Sequence, residues 1–218
     1  MTTASTGGYT GDVTPDTRTL PHLRITKLSV GPMDNNAYLL TCRDTGEQVL
    51  IDAANEADRL LALVGDAGLT TVVTTHRHAD HWQALVEVVA ATGAQAIAHA
   101  ADAPELPVPT STVAEGETIM CGTVPLEVIH LVGHTPGSIA LLHRDPAGHP
   151  HLWTGDSLFP GGPGRTTNPT DFGSLMDGLE AKIFGRLPDD TWFYPGHGKD
   201  STLGRERPSI PQWRARGW

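Results

Sequence analysis

Apolar and polar residues alternate over residues 23–30, which predicts a strand. Gly31-Pro32 ends that run. Residues 37–43 and 48–53 predict two further strands, joined by the turn Asp44-Thr45-Gly46-Glu47. The spacing of Leu60, Leu61 and Leu63 predicts a helix over 56–63 that stops near Gly65. Residues 70–75 are β-branched throughout, as in a strand buried on both faces. A helix over 82–91 ends at Gly93, and a short strand follows over 94–98. Residues 101–109 are proline-rich and predict a loop. A second series of strands covers 117–120, 124–131, 138–143 and 151–154, with a turn at Pro146-Ala147-Gly148. Residues 161–167 predict a glycine- and proline-rich loop, 172–183 a helix, and 191–194 a last strand. The tail after Pro208, with its prolines and tryptophans, predicts an irregular cap. The two halves share an order, several strands and then a strand–loop–helix unit, which suggests two packed sheets with helices outside.

Composition narrows the class. A chain of 218 residues suits one domain with a sizeable core. The net charge of −10 argues against general nucleic-acid binding, although Arg205, Arg207, Arg214 and Arg216 form a local basic cluster. Cys42 and Cys121 are far apart and fit no thiolate metal motif, so both read as core residues. No apolar run reaches the length of a membrane span. Residues 1–20 read as a flexible segment without the features of a signal peptide, and 21–218 as a single domain. The expected location is the cytoplasm and the expected partner a small-molecule substrate. Neither nucleic acid nor membrane is expected, and a homo-oligomer is left open.

The candidate chemistry lies in His76-Arg77-His78-Ala79-Asp80-His81, directly after the β-branched run. In extended chain, residues two apart point the same way, so His76 and His78 can share one metal ion. Asp80 and His81 follow where the chain turns and can face a second position. Imidazole and carboxylate suit zinc, and also iron or manganese. Three more segments each place one ligand-type residue at a strand end beside glycine: Gly133-His134-Thr135-Pro136-Gly137, Thr154-Gly155-Asp156-Ser157 and Pro195-Gly196-His197-Gly198. His22, His99, His130, His143, His149 and His151 match no such segment and read as surface or core residues.

Together these motifs, in this order from about Leu23 to His197, resemble the metallo-β-lactamase superfamily. The resemblance implies an α/β (α+β) fold: a four-layer αββα sandwich of two mixed sheets flanked by helices, with metal at one edge. It also implies that His76, His78 and His134 hold a first ion, that Asp80, His81 and His197 hold a second, and that Asp156 bridges them. Asp52 matches a strand-end aspartate that supports the metal loop. Two divalent ions, zinc first and iron or manganese as alternatives, would favour a bridging hydroxide as nucleophile, with Asp80 as the catalytic residue that orients it.

Within that superfamily, Gly133-His134-Thr135-Pro136-Gly137-Ser138 and Gly155-Asp156-Ser157-Leu158-Phe159 look most like the glyoxalase II group, which hydrolyses thioesters of glutathione. The expected activity is therefore hydrolysis of a thioester or related ester. Asp156 stands where many metallo-β-lactamases carry cysteine, and those enzymes are secreted, so antibiotic hydrolysis is disfavoured. The chain ends about twenty residues after His197, and the glutathione-gripping extension of glyoxalase II is not recognisable. Arg165, in Gly161-Gly162-Pro163-Gly164-Arg165-Thr166-Thr167, is a candidate for binding an anionic substrate group. Gly164-Arg165-Thr166 and residues 202–207 also resemble persulfide dioxygenases, which hold one iron through the residues matching His76, His134 and Asp156. Lactone hydrolysis and a non-catalytic metal-binding regulatory role are the remaining alternatives.

Overall fold

The computed structural model describes residues 14–217. A seven-stranded sheet contains β1 (Asp16–Thr19), β2 (Leu23–Val30), β3 (Asn35–Cys42), β4 (Gln48–Ile51), β5 (Thr71–Val73), β6 (Gln95–His99) and β7 (Thr110–Val113), paired in sequence order. The first four are antiparallel neighbours, whereas β4 to β7 run parallel. Helices α1 (Ala57–Val64) and α2 (Leu85–Thr92) cross between the parallel strands. The second sheet begins with β8 (Thr118–Cys121), β9 (Val124–His130), β10 (Ile139–Arg144) and β11 (Pro150–Gly155). A small hairpin follows, β12 (Leu158–Phe159) and β13 (Gly162–Pro163), and then α3 (Pro169–Gly178) with a further helical turn over Leu179–Phe184. β14 (Trp192–Pro195) and β15 (Ser201–Thr202) return to the second sheet, whose order is β15-β14-β11-β10-β9-β8. Helices α4 (Leu203–Glu206) and α5 (Ile210–Arg216) close the described chain.

The side-chain period of two explains the layering. Along β3, Ala37 and Leu39 face the α1–α2 side, while Tyr38, Leu40 and Cys42 face the second sheet. Along β10, Ile139 and Leu141 join that central layer, and Ala140 and Leu142 pack under α3. Both sheets are thus covered on both faces, giving three apolar layers in a four-layer αββα sandwich. Trp153, wholly buried between the sheets, anchors the central layer.

The structure extends the sequence expectations at several places. Within the segment expected to be flexible, residues 1–13 lie outside the described residues, but Asp16–Thr19 forms edge strand β1 against β2. β7 lies at the end of the proline-rich stretch and was not expected. The tail expected to be irregular contains α5, because Pro211 lies in its first turn, where a missing N–H is harmless. α3 begins earlier than expected for the same reason: Pro169 opens it, and Asn168 Oδ1 caps it by accepting from the Asp171 N–H at 2.9 Å. Among the described residues, no helix is long and apolar enough to cross a membrane.

Candidate metal centre

The C-terminal ends of β4, β5, β9, β11 and β14 converge at one edge of the sandwich. Each delivers one part of the cluster: Asp52 after β4, the 76–81 segment after β5, His134 after β9, Asp156 after β11 and His197 after β14. Backbone hydrogen bonds join the sheets here, from Ile139 N to Thr75 O at 2.9 Å and from Asn36 N to Gly196 O at 2.7 Å. The edge is therefore rigid before any side chain is considered.

The side chains are aimed by their far ends. His81 Nδ1 donates to Asp52 Oδ2 at 2.8 Å, His134 Nδ1 to the Arg165 carbonyl at 2.7 Å, and His197 Nδ1 to the Met33 carbonyl at 2.9 Å. These partners are acceptors, so the proton belongs on Nδ1 and the Nε2 lone pair points inward. His76 is held through Thr75: its Nδ1 lies 3.1 Å from Thr75 Oγ1, which itself donates to Asp52 Oδ2 at 2.8 Å. Asp52 also accepts from the Thr75 N–H at 2.7 Å, and these contacts hold its backbone at φ 59°, in the left-handed region.

The inward atoms meet at ligand spacing. His76 Nε2 is 3.3 Å from His134 Nε2, and His81 Nε2 is 3.2 Å from His197 Nε2. His197 Nε2 lies 3.3 Å from Asp80 Oδ2. Asp156 reaches both groups, with Oδ1 3.4 Å from His81 and Oδ2 3.6 Å from His134 and 3.5 Å from His197. Bonds of about 2.1 Å to a tetrahedral ion place its donor atoms about 3.4 Å apart, so these separations fit a cation. Donor atoms of His76, His78 and His134 lie within 4.8 Å of one another, as do those of His76, His81 and Asp156 and those of Asp80, His81 and His197. Asp156 Oδ1 is buried with no hydrogen-bond partner among the described residues.

Electrostatics divide the histidines into two groups. Burial depresses His76, His78 and His134, which favours the neutral, ligating form. Burial also opposes charge on His81, but the Asp52 and Asp156 carboxylates outweigh it and raise His81 to about 10. Asp156 is buried too, yet the His197 and His81 rings beside it hold it far below the usual carboxylate range. The cluster therefore favours positive charge at its centre.

All the sequence-predicted ligand residues lie in this cluster. Arg165 does not; it is exposed on the loop after β13, joined to the cluster through its carbonyl. Sequence reasoning missed three supporting residues. Asn35 Nδ2 donates to Asp80 Oδ2 at 2.9 Å and to the Asp80 carbonyl at 3.0 Å. Asn36 Nδ2 donates to the Pro195 carbonyl at 2.8 Å. Asp102, wholly buried, accepts from the Arg77 N–H at 3.0 Å, Thr135 Oγ1 at 2.5 Å and the Gly137 N–H at 2.9 Å. The only sequence signal for these was a polar residue beside a turn. The six histidines outside the motifs belong to none of the metal-type groups found among the described residues. Ser138 Oγ accepts from the Thr135 N–H at 3.1 Å, while the buried Ser157 hydroxyl has no hydrogen-bond partner among the described residues.

Comparison with known proteins identifies the family and the fold. Residues 30–197 match the family model of the metallo-beta-lactamase superfamily. The chain is 39% identical over 165 residues to a hydroxyacylglutathione hydrolase of Polaromonas sp., covering 75% of this chain and 62% of that protein. It is 36% identical over 166 residues to the protein of that name from Rhodospirillum rubrum, with the same coverage. The chain thus spans about three fifths of these relatives. Among solved structures, ETHE1 from Myxococcus xanthus superposes with a TM-score of 0.75 at 30% identity, covering 88% of this chain and 84% of that one. TTHA1623 in a di-iron-bound form gives a TM-score of 0.71 at 31% identity, covering 85% and 98%. On its fold, the order of its motifs and these matches, the chain belongs to the metallo-beta-lactamase superfamily.

Proposed function

We propose that this protein is a binuclear metal-dependent thioester hydrolase that acts on a small molecule in the cytoplasm. The observation that carries the reading is the spacing of 3.2–3.6 Å among inward-facing nitrogen and carboxylate atoms, with Asp156 in reach of both groups. His76, His78 and His134 would hold one ion, Asp80, His81 and His197 the other, and Asp156 both. Zinc suits this donor set, and iron or manganese are the alternatives. When bound, such ions supply an activated water and an electrophile for a carbonyl oxygen.

The rest of the work falls to the chain. Asp52 fixes the His81 ring, the Arg165 carbonyl fixes His134, and the Met33 carbonyl fixes His197. Asn35 pins Asp80 Oδ2, which makes Asp80 the carboxylate suited to orient the attacking water. A thiolate leaves readily without a general acid, so a thioester matches a site built from ligands alone. The resemblance to hydroxyacylglutathione hydrolases supports a thioester of a carboxylate-bearing thiol.

The test is thiol release from S-D-lactoylglutathione by protein reconstituted with zinc, manganese or iron. Turnover that falls about 100-fold or more in Asp80→Asn supports the reading. A second reading, a mononuclear iron dioxygenase acting on persulfides, is favoured by the compact set of His76, His134 and Asp156, separated by 3.3 and 3.6 Å. Oxygen uptake with glutathione persulfide, and no thiol release with any of the three metals, would replace the hydrolase reading by that one.

A further inference from the structure

Two cysteines far apart in sequence meet at the end of the sandwich opposite the metal edge. Asn35 opens β3 beside His197, and Cys42 closes the same strand at its far end. Cys121 closes β8, at the turn into β9. Both side chains are wholly buried in the central layer, one from each sheet. The Glu47 carbonyl accepts from the Cys42 N–H at 2.9 Å and from the Cys121 thiol at 3.5 Å. Gly122 permits a closer approach still, because a Cβ there would stand 2.8 Å from both Cβ and Sγ of Cys42. The backbone next to Cys121 therefore lies directly against the Cys42 side chain.

The two thiols have different surroundings. Cys42 Sγ lies 3.5 Å from the hydroxyl of Thr123, and Thr45 bonds it from the turn before β4; both threonines are exposed. Thr123 Oγ1 in turn donates to Asp44 Oδ2 at 3.2 Å, and His22 Nδ1 lies 2.8 Å from the same oxygen. Thr123, Asp44 and His22 belong to the wall of a cavity of about 380 Å³. A small polar molecule in that cavity is one hydroxyl away from the sulfur, and the thiol proton has a hydrogen-bonded path to the exposed His22–Asp44 pair. Burial raises the Cys42 thiol, but the bonds from Thr123 and Thr45 outweigh it and bring it down to about 6. Cys121 meets only the Leu40 and Glu47 carbonyls, and burial pushes it up to about 11. At neutral pH one sulfur is thus a thiolate while the other keeps its proton.

We propose that Cys42 and Cys121 form an oxidation site for hydrogen peroxide, with Cys42 as the attacking thiol and Cys121 as its resolving partner. The Cys42 thiolate attacks one peroxide oxygen, the O–O bond breaks, and the departing hydroxide takes up the thiol proton as water. Cys42 is then a sulfenic acid. The Cys121 sulfur displaces its hydroxyl group, which leaves with the Cys121 proton as a second water, and the S–S bond closes. Both sulfurs are oxidised and one peroxide is reduced. The bond ties β3 to β8 and so joins the two sheets at the end away from the metal ligands. Nothing in this step depends on the reading of the metal centre.

The experiment treats the zinc-loaded full chain with hydrogen peroxide, blocks the remaining thiols by alkylation and maps the peptides by mass spectrometry. Exposed Met33 and Met120 also take up oxygen under these conditions, so the readout is the cysteine linkage and not the total mass. The expected result is a peptide pair joining Cys42 to Cys121, absent before treatment and lost again with dithiothreitol. In Cys121→Ala the reaction should stop at the sulfenic acid, and dimedone should label Cys42. Thr123→Val, an isosteric change at an exposed position, keeps the fold and should slow that labelling about tenfold when added to Cys121→Ala. Two unmodified cysteines in the treated wild type, a disulfide between chains instead of within one, dimedone on Cys121 in Cys42→Ala, or an unchanged labelling rate with Thr123→Val each overturn the proposal.

Discussion

Asp52 makes three hydrogen bonds at the metal edge, and each positions something else: the Thr75 amide, the Thr75 hydroxyl and the His81 ring. Removing its charge while keeping its shape should leave the fold in place and loosen the ligands. Asp52→Asn is expected to weaken metal binding about 10- to 100-fold, measured by competition with a chromophoric chelator. An unchanged affinity would mean that the His81 ring is held by packing alone. Gly196 makes a complementary case. A Cβ there would stand 2.2 Å from Asp156 Oδ1 and 2.6 Å from His81 Cε1, so Gly196→Ala should displace both side chains and abolish tight metal retention. Retention of wild-type metal content in that variant would contradict the geometry. At this scale the sequence was readable where chemistry is local. His76, His78, Asp80 and His81 lie within one short segment, and their residue types announce ligands. Asn35 and Asp102 were silent, because their meaning depends on Asp80, 45 positions away, and on Thr135, 33 positions away.

Between elements, the loops after β5 and β9 must stay in register for His76 and His134 to meet. Asp102, in the turn after β6, ties them: its carboxylate takes the Arg77 amide from one loop and the Gly137 amide and Thr135 hydroxyl from the other. Asp102→Ala leaves those buried donors unpaired and should cost about 3 kcal/mol in urea unfolding, with metal retention falling in parallel. A loss below about 1 kcal/mol would show that the loops hold themselves. The β-branched run at β5 was legible because it reflects burial on both faces, whereas the alternation along β2 marked a strand but not its cover: Leu23 and Ile25 lie in the central layer and Leu28 and Val30 under α1 and α2. The short elements β1, β7 and β12–β13 were not legible. They are edge or hairpin pieces whose pairing comes from neighbours, not from their own apolar pattern. Helix α5 was obscured by Pro211, which reads as a breaker until its place in the first turn is known.

For the molecule as a whole, titration is coupled to the sandwich. His151, in β11, is wholly buried, with Nδ1 2.9 Å from Tyr194 Oη. Burial above all, and then the nearby charges of His149 and Arg18, push His151 down to about 3. In the unfolded chain it titrates near 6.5, so between about pH 6.5 and 3 the unfolded state binds the extra proton. The stability that the neutral ring contributes above pH 6.5 is therefore lost progressively as the pH falls through that window. His151→Gln should move the midpoint of acid unfolding down by about half a pH unit, followed by circular dichroism. A midpoint that stays in place would assign acid sensitivity to other groups. The central claim is that one sandwich edge holds a pair of ions, and elemental analysis of protein purified without added metal tests it most directly. About two transition-metal ions per chain are predicted, falling below one in Asp156→Ala, whose carboxylate reaches both groups. A single tightly held iron in the wild type, or two ions retained in Asp156→Ala, would contradict it.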